Sequence, residues 1–129
     1  MNDLIIDATT DKIFLTLIKN TKNIYTSKQE NSKNNFDRLV TLIEDLLDKN
    51  NIQIKDLNNI YVNRGPGSFA GIRNSLSTIK AIHLTMKIDY YCYSFKDFQG
   101  GEKIKYENIP NLCDKFGVKK NLINPIYIS

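Results

Sequence analysis

At 129 residues, with 41% hydrophobic and 25% charged side chains, the chain has room for one domain built on one core. No apolar run approaches the ~20 residues that a bilayer span requires. The opening Met1-Asn2-Asp3-Leu4-Ile5-Ile6-Asp7 lacks the basic start of a signal peptide, so the expected location is the cytoplasm and no membrane contact is expected.

The net charge of +4 comes largely from lysines scattered among asparagines and isoleucines. Only Lys119-Lys120 form an adjacent basic pair, so no nucleic-acid footprint stands out. The two cysteines, Cys92 and Cys113, have no CxxC or CxxH spacing, and His83 is the single histidine. Zinc usually takes three or four Cys, His or carboxylate ligands. The pattern therefore reads as two reduced, partly buried thiols and no metal site.

Leu4 to Ala8 reads as a buried strand, and Thr9-Thr10-Asp11-Lys12 supplies turn residues. Ile13 to Ile18 follows as the second arm of a hairpin, with a short third strand around Asn23 to Thr26. Ser27 to Asn34 is polar and reads as a loop. Phe36, Leu39, Val40, Ile43, Leu46 and Leu47 then carry the i, i+3, i+4, i+7 spacing of an amphipathic helix. Asn34 or Asn35 is placed to cap that helix, and Asn50-Asn51 ends it.

Asn59 to Val62 reads as the next strand. Ile72, Leu76, Ile79, His83 and Met86 mark a second helix, in which His83 reads as a packing residue. Ile88 to Ser94 is a tyrosine-rich strand. Gln99-Gly100-Gly101-Glu102 reads as a turn, and Pro110 suits the first position of a short helix closed by Gly117. A last short strand is expected from Leu122 to Ile128, at an edge because of Pro125. The order β-β-β-α-β-α-β predicts an α/β domain, a mixed sheet with helices on its faces.

One stretch has unusual chemistry. Arg64-Gly65-Pro66-Gly67-Ser68-Phe69-Ala70-Gly71-Ile72-Arg73 holds three of the six glycines and lies between a strand and a helix. Glycines let backbone amides approach a ligand or take positive φ, Ser68 is placed to cap the helix, and flanking arginines favour anions. Three readings stay open: a tight connection whose glycines only turn the chain, an anion or nucleotide loop, and a packing or partner motif. A Walker A loop needs Lys-Ser or Lys-Thr after its last glycine, and Gly71 is followed by Ile72-Arg73, so that reading fails. Gly65, Gly67 and Ala70 formally match the dinucleotide fingerprint. Pro66 interrupts it, and the nearest downstream acid, Asp89, sits at the wrong end of the next strand.

The decamer resembles the signature of the TsaB (YeaZ) family, RGPGSFTG followed by an aliphatic residue and Arg, with Ala70 in place of Thr. Ile6-Asp7-Ala8-Thr9-Thr10 resembles the family's IDTST, Arg38 to Leu47 its RLLPxIxxLL helix, and Lys55-Asp56-Leu57 with Ile60 its KDLDAI. Asn35 and Phe36 stand where the family often has His-Ser. The resemblance covers residues 4 to 95. It implies the actin-like, ribonuclease-H-like fold, normally two subdomains in tandem, of which this chain holds the first. Residues 1–129 are then one domain, with 96–129 an abbreviated remainder. The ending Asn124-Pro125-Ile126-Tyr127-Ile128-Ser129 resembles the family's closing P-x-Y segment, with Ser129 replacing Arg, so the chain reads as internally shortened.

The resemblance further implies a non-catalytic accessory subunit for tRNA threonylcarbamoyladenosine (t6A) formation. Such a subunit supports the TsaD transferase alongside the ATPase TsaE, with ATP and metal on TsaD, tRNA contacted indirectly and a homodimer possible when alone. Asp7, Thr9 and Thr10 resemble a degenerate phosphate hairpin of actin-like ATPases; the alternative is that Asp7 closes a β-turn. The anion-loop candidates are Arg64, Gly65, Gly67, Ser68, Gly71 and Arg73. The expected partner surface is two helices, Asn35 to Lys49 and Gly71 to Met86, through Phe36, Leu39, Val40, Ile43, Leu47, Ile72 and Leu76. Rival readings are a nucleotide-binding actin-like enzyme and a direct tRNA-binding module.

Overall fold

A computed structural model describes residues 1–31, 38–99 and 103–127. Five strands form one sheet: β1 (Asp3–Asp7), β2 (Lys12–Lys19), β3 (Asn23–Glu30), β4 (Asn59–Asn63) and β5 (Asp89–Tyr93). Their spatial order is β3-β2-β1-β4-β5. The first three run antiparallel as hairpins, while β1, β4 and β5 run parallel, with Leu4 opposite Ile60 and Ile60 opposite Tyr90. The parallel pairs need crossovers, which α1 (Leu39–Asp48) and α2 (Phe69–Met86) supply. This is the expected mixed α/β sheet.

Side-chain alternation divides the core into two layers. Leu4, Ile6, Ile60, Val62, Tyr90 and Cys92 face α1 and α2, joined by Leu39, Ile43, Leu47, Ile72, Leu76 and Ile79. Ile5, Ile18, Tyr61 and Tyr93 point to the opposite face. There Phe98 and a short helix, α3 (Ile109–Lys115), bring Ile109 and Cys113 down as a cover. Pro110 lies in the first turn of α3, and Gly117 takes φ +67° just past its end, as the sequence implies. Both cysteines are free and buried, and burial pushes each thiol up to about 12.

Three expectations need correction. Ser27 to Glu30 is strand, not loop: β3 pairs with β2 along its whole length, from Asn23 opposite Lys19 to Glu30 opposite Lys12. Backbone ladder bonds hold these polar residues on an exposed edge, where no apolar alternation is needed. Leu122 to Tyr127 forms no strand; pairing with β5 stops at a single bridge between Lys120 and Tyr91. Pro125 has no N–H to continue a ladder. Met86 is exposed rather than part of the α2 stripe. The expected cap at Asn34 or Asn35 and the Gln99 to Glu102 turn fall wholly or mainly outside the described residues. Among the described residues no helix is long and apolar enough to cross a membrane.

The tyrosines of the second layer give a pH prediction. Burial raises the phenol pKa values of Tyr61, Tyr93 and Tyr106, and the Asp7 carboxylate adds to the shift at Tyr93 and Tyr106. A group whose pKa is raised by folding stabilises fully below its unfolded value, about 10 for tyrosine, and that stabilisation is lost as pH rises further. Alkaline unfolding followed by circular dichroism should therefore begin above about pH 10. Phenolate absorbance at 295 nm should jump with it, because these three rings ionise only as the fold opens.

Candidate functional site

The glycine-rich segment joins β4 to α2 at the carboxyl end of the parallel strands. Arg64 still follows the sheet, its backbone N–H donating to Tyr93 O at 2.7 Å. The peptide between Gly65 and Pro66 is cis, and Gly65 has φ +112°. A Cβ at Gly65 would lie 2.0 Å from Ile126 O. Gly67 is required for space alone: a Cβ there would meet Thr9 O at 2.4 Å. Ser68 caps α2 as expected, its Oγ accepting from Gly71 N at 3.2 Å.

The loop is pressed onto the β1–β2 turn. Ser68 N donates to Thr9 O at 2.8 Å, and a Cβ on Gly71 would stand 1.9 Å from Ala8 O. Asn31 braces the same turn from the other side, donating to Ala8 O at 3.0 Å and Thr10 O at 2.6 Å. Gly65 N donates to Asn63 Oδ1 at 2.9 Å. The amides of Gly65, Ser68 and Gly71 are thus directed at protein acceptors, a geometry that serves packing.

Asp7 is buried and fully engaged. Its Oδ1 accepts from Thr9 N at 3.0 Å and Thr9 Oγ1 at 2.7 Å, which closes the turn. Its Oδ2 accepts from Asn63 Nδ2 at 3.1 Å and from the Tyr106 hydroxyl at 2.6 Å. An ionised carboxylate offers about four lone-pair sites, and four donors meet this one. Thr10 instead faces solvent, its Oγ1 accepting from Lys12 N at 3.3 Å. Of the expected hairpin residues, Asp7 and Thr9 are brought together and Thr10 stands apart.

The two arginines of the loop serve different places. Arg64 turns back to the chain end, donating through Nη1 to Asn124 O at 3.1 Å and through Nη2 to Asp97 Oδ1 at 2.7 Å. Arg73 lies on the exposed side of α2, beside Lys80, Ile123 and Tyr127. Both were candidates for one anion site, and the structure places them along separate cavities.

The expected partner surface is also redrawn. Leu39, Ile43, Leu47, Ile72 and Leu76 are at most 5% exposed and form the cover of the sheet. Half a sheet's apolar face has to be covered by these two helices, which uses their whole central stripe. Val40 remains open on α1, while Phe69 and Leu84 are the exposed large apolar residues of α2 before its end at Met86. Phe36 lies outside the described residues. His83 is half-buried, its Nδ1 2.9 Å from Ile88 O and its ring edge-on to Tyr90.

Asn63, Asp97, Tyr106 and Asn124 belong to this site without having been singled out from sequence. Asn63 and Asp97 flank elements already marked and carry a weak signal by position. Tyr106 is 99 residues from Asp7 and carries none.

A hairpin turn and a glycine loop held together at the carboxyl end of a β3-β2-β1-β4-β5 sheet define an actin-like, ribonuclease-H-like domain. The family model for TsaD, tRNA N6-adenosine threonylcarbamoyltransferase, matches residues 20–94, more than half of the chain. The chain belongs to this family, with its TsaB (YeaZ) members. It is 31% identical over 93 residues to the tRNA threonylcarbamoyladenosine biosynthesis protein TsaB of Buchnera aphidicola subsp. Schizaphis graminum, covering 70% of this chain and 44% of that protein. The TsaB of Buchnera aphidicola subsp. Baizongia pistaciae is 32% identical over 74 residues, covering 57% of this chain and 33% of that protein. The chain therefore spans less than half the length of the curated relatives it matches. Among solved structures, YeaZ from Pseudomonas aeruginosa superposes with a TM-score of 0.66 at 20% identity, over 72% of this chain and 43% of that one, which supports the fold.

Proposed function

We propose that this chain is a non-catalytic accessory subunit in t6A formation, binding and supporting a TsaD-type transferase subunit. The observation that carries the reading is the closed state of Asp7. In an actin-like ATPase a carboxylate at this hairpin organises metal and phosphate, whereas here its lone pairs meet Thr9, Asn63 and Tyr106. The names of the curated relatives place those proteins in threonylcarbamoyladenosine biosynthesis. ATP, metal and tRNA would then be handled by the partner, with a TsaE-type ATPase in the same complex. The exposed apolar side chains Val40, Phe69, Leu84 and Met86 on α1 and α2 are candidates for that contact.

The reading is tested with the isolated chain. Incubated with ATP and Mg2+, or with threonylcarbamoyl-adenylate and tRNA, it should give turnover no higher than a mock preparation. ATP hydrolysis that disappears in Asp7→Asn would replace this reading with a nucleotide-dependent enzyme. Salt-sensitive tRNA binding by the chain alone would replace it with a tRNA-binding module.

A further inference from the structure

We propose that the groove between α2 and the chain end is a docking surface for an acidic amphipathic helix of a partner protein. The groove has a volume of about 390 Å³ and is lined by Arg73, Leu76, Lys80, Ile123, Pro125 and Tyr127 among others. Its second wall is the segment 122–127, which forms no strand and is pinned across the glycine loop. Arg64 donates through Nη1 to Asn124 O at 3.1 Å, Ile126 N donates to Arg64 O at 2.7 Å, and the Tyr127 ring lies 4.6 Å from that of Phe69. The groove is therefore preformed. It shares no lining residue with the exposed positions Val40, Phe69, Leu84 and Met86, so its occupant need not be a transferase subunit.

Charge and spacing identify the occupant. Arg73 and Lys80 are exposed, and neither has an ion-pair partner among the described residues. No aspartate or glutamate occurs from Leu57 to Ile88 or from Lys115 to Tyr127, so the two walls of the groove hold no carboxylate to neutralise these cations. The exposed acids Glu44, Asp45 and Asp48 belong to α1 instead. Arg73 and Lys80 stand two turns apart on α2, about 10.5 Å along its axis. A helix laid alongside repeats its own face at the same interval, so carboxylates at i and i+7 meet both cations at once. Apolar side chains at i+3 and i+4 then fall between them, onto Leu76, Ile123 and Pro125. Leu76 is buried and Ile123 packs on the same core, which makes that floor firm. An extended strand would offer same-face side chains about 6.8 or 13.6 Å apart, a poorer match to the pair. A nucleic-acid strand needs a charged track with aromatic stacking platforms, whereas here two cations rim a largely aliphatic floor and Tyr127 is already engaged by Phe69.

The test is fluorescence anisotropy with labelled synthetic helical peptides and the full chain. One peptide carries glutamate at i and i+7 with leucine at i+3 and i+4; two others replace both glutamates by glutamine or by lysine. A labelled single-stranded RNA runs alongside. Saturable binding of the acidic peptide is expected, about fivefold tighter than the glutamine peptide, with the lysine peptide and the RNA weaker again. In 15N NMR the acidic peptide should shift residues 73–80 and 122–127 together. The double variant Arg73→Glu with Lys80→Glu alters two exposed side chains and should fold, and its preference should swing to the lysine peptide by about fivefold. If circular dichroism finds that variant unfolded, salt decides on the unaltered chain. Raising it from about 0.05 M to about 0.5 M should weaken the acidic peptide several-fold and leave the glutamine peptide nearly unchanged. Absence of saturable binding, equal affinity for the acidic and glutamine peptides, or tighter binding of the RNA would each overturn the proposal. So would an unchanged preference in the folded variant, or shifts of residues 73–80 on dilution alone, which would seat a second copy of the chain there.

Discussion

Replacing Gly71 by alanine is expected to lower the melting temperature by on the order of 10 °C or more. The reason is geometric. The new Cβ would sit 1.9 Å from Ala8 O and 3.0 Å from Asn31 Nδ2, well inside contact distance. Neither side can give easily, because Ala8 directly follows a fully buried central strand and Asn31 is bound to that same carbonyl. Ser68 N on Thr9 O fixes the start of α2 against the turn. Overpacking a well-packed site costs about 1–3 kcal/mol; a backbone carbonyl as the nearest atom pushes the figure to the upper end or beyond. That is a large part of the roughly 5–15 kcal/mol that holds a domain together. Gly117→Ala is the control: its φ is +67° with nothing within 4 Å, so the cost should be about 1 kcal/mol of backbone strain. Thermal melts of the two variants side by side check the ordering, and equal losses would mean that crowding is not what the glycine loop relieves.

Asp7→Asn is expected to destabilise by about 2–4 kcal/mol with little change in shape. Asparagine offers one acceptor oxygen where the carboxylate offers two, so either the Thr9 donors or the Asn63 and Tyr106 donors lose their acceptor. The NH2 group would also face donors. Tyr106→Phe removes only one bond to the carboxylate and should cost about 1–2 kcal/mol, less than Asp7→Asn. Urea unfolding of both single variants and the double variant measures the coupling, which should exceed about 0.5 kcal/mol because the two residues share one bond. If Asp7→Asn leaves stability unchanged, the carboxylate does not tie the turn, Asn63 and Tyr106 together, and a ligand-binding role regains ground.

Much of the fold was legible because the local patterns agree with the tertiary result. Ile60 and Val62 alternate with Tyr61, and the sheet puts them on opposite faces as the period of two requires. The helical spacing of Leu39, Ile43 and Leu47 also marks a buried stripe. What that spacing cannot do is divide core from interface, since both are apolar, and among the described residues of the stripe the sheet claims all but Val40. The glycine loop was legible as a site of close approach, but one signal stood for two causes: left-handed backbone at Gly65, and crowding at Gly65, Gly67 and Gly71. Ser27 to Glu30 was hidden because an edge strand exposed to water needs no apolar residues. The seal that Tyr106 places on Asp7 was invisible, since nothing local to either residue reports a partner 99 positions away.

The accessory reading holds that the chain acts through a transferase partner and not alone. It is tested most directly by measuring t6A formed on tRNA by a TsaD-type subunit, a TsaE-type ATPase, threonylcarbamoyl-adenylate and ATP, with and without this chain. The accessory reading predicts that omitting the chain abolishes product and that the chain without the transferase forms none. Undiminished product in its absence, or t6A formed by this chain without the transferase, would contradict it.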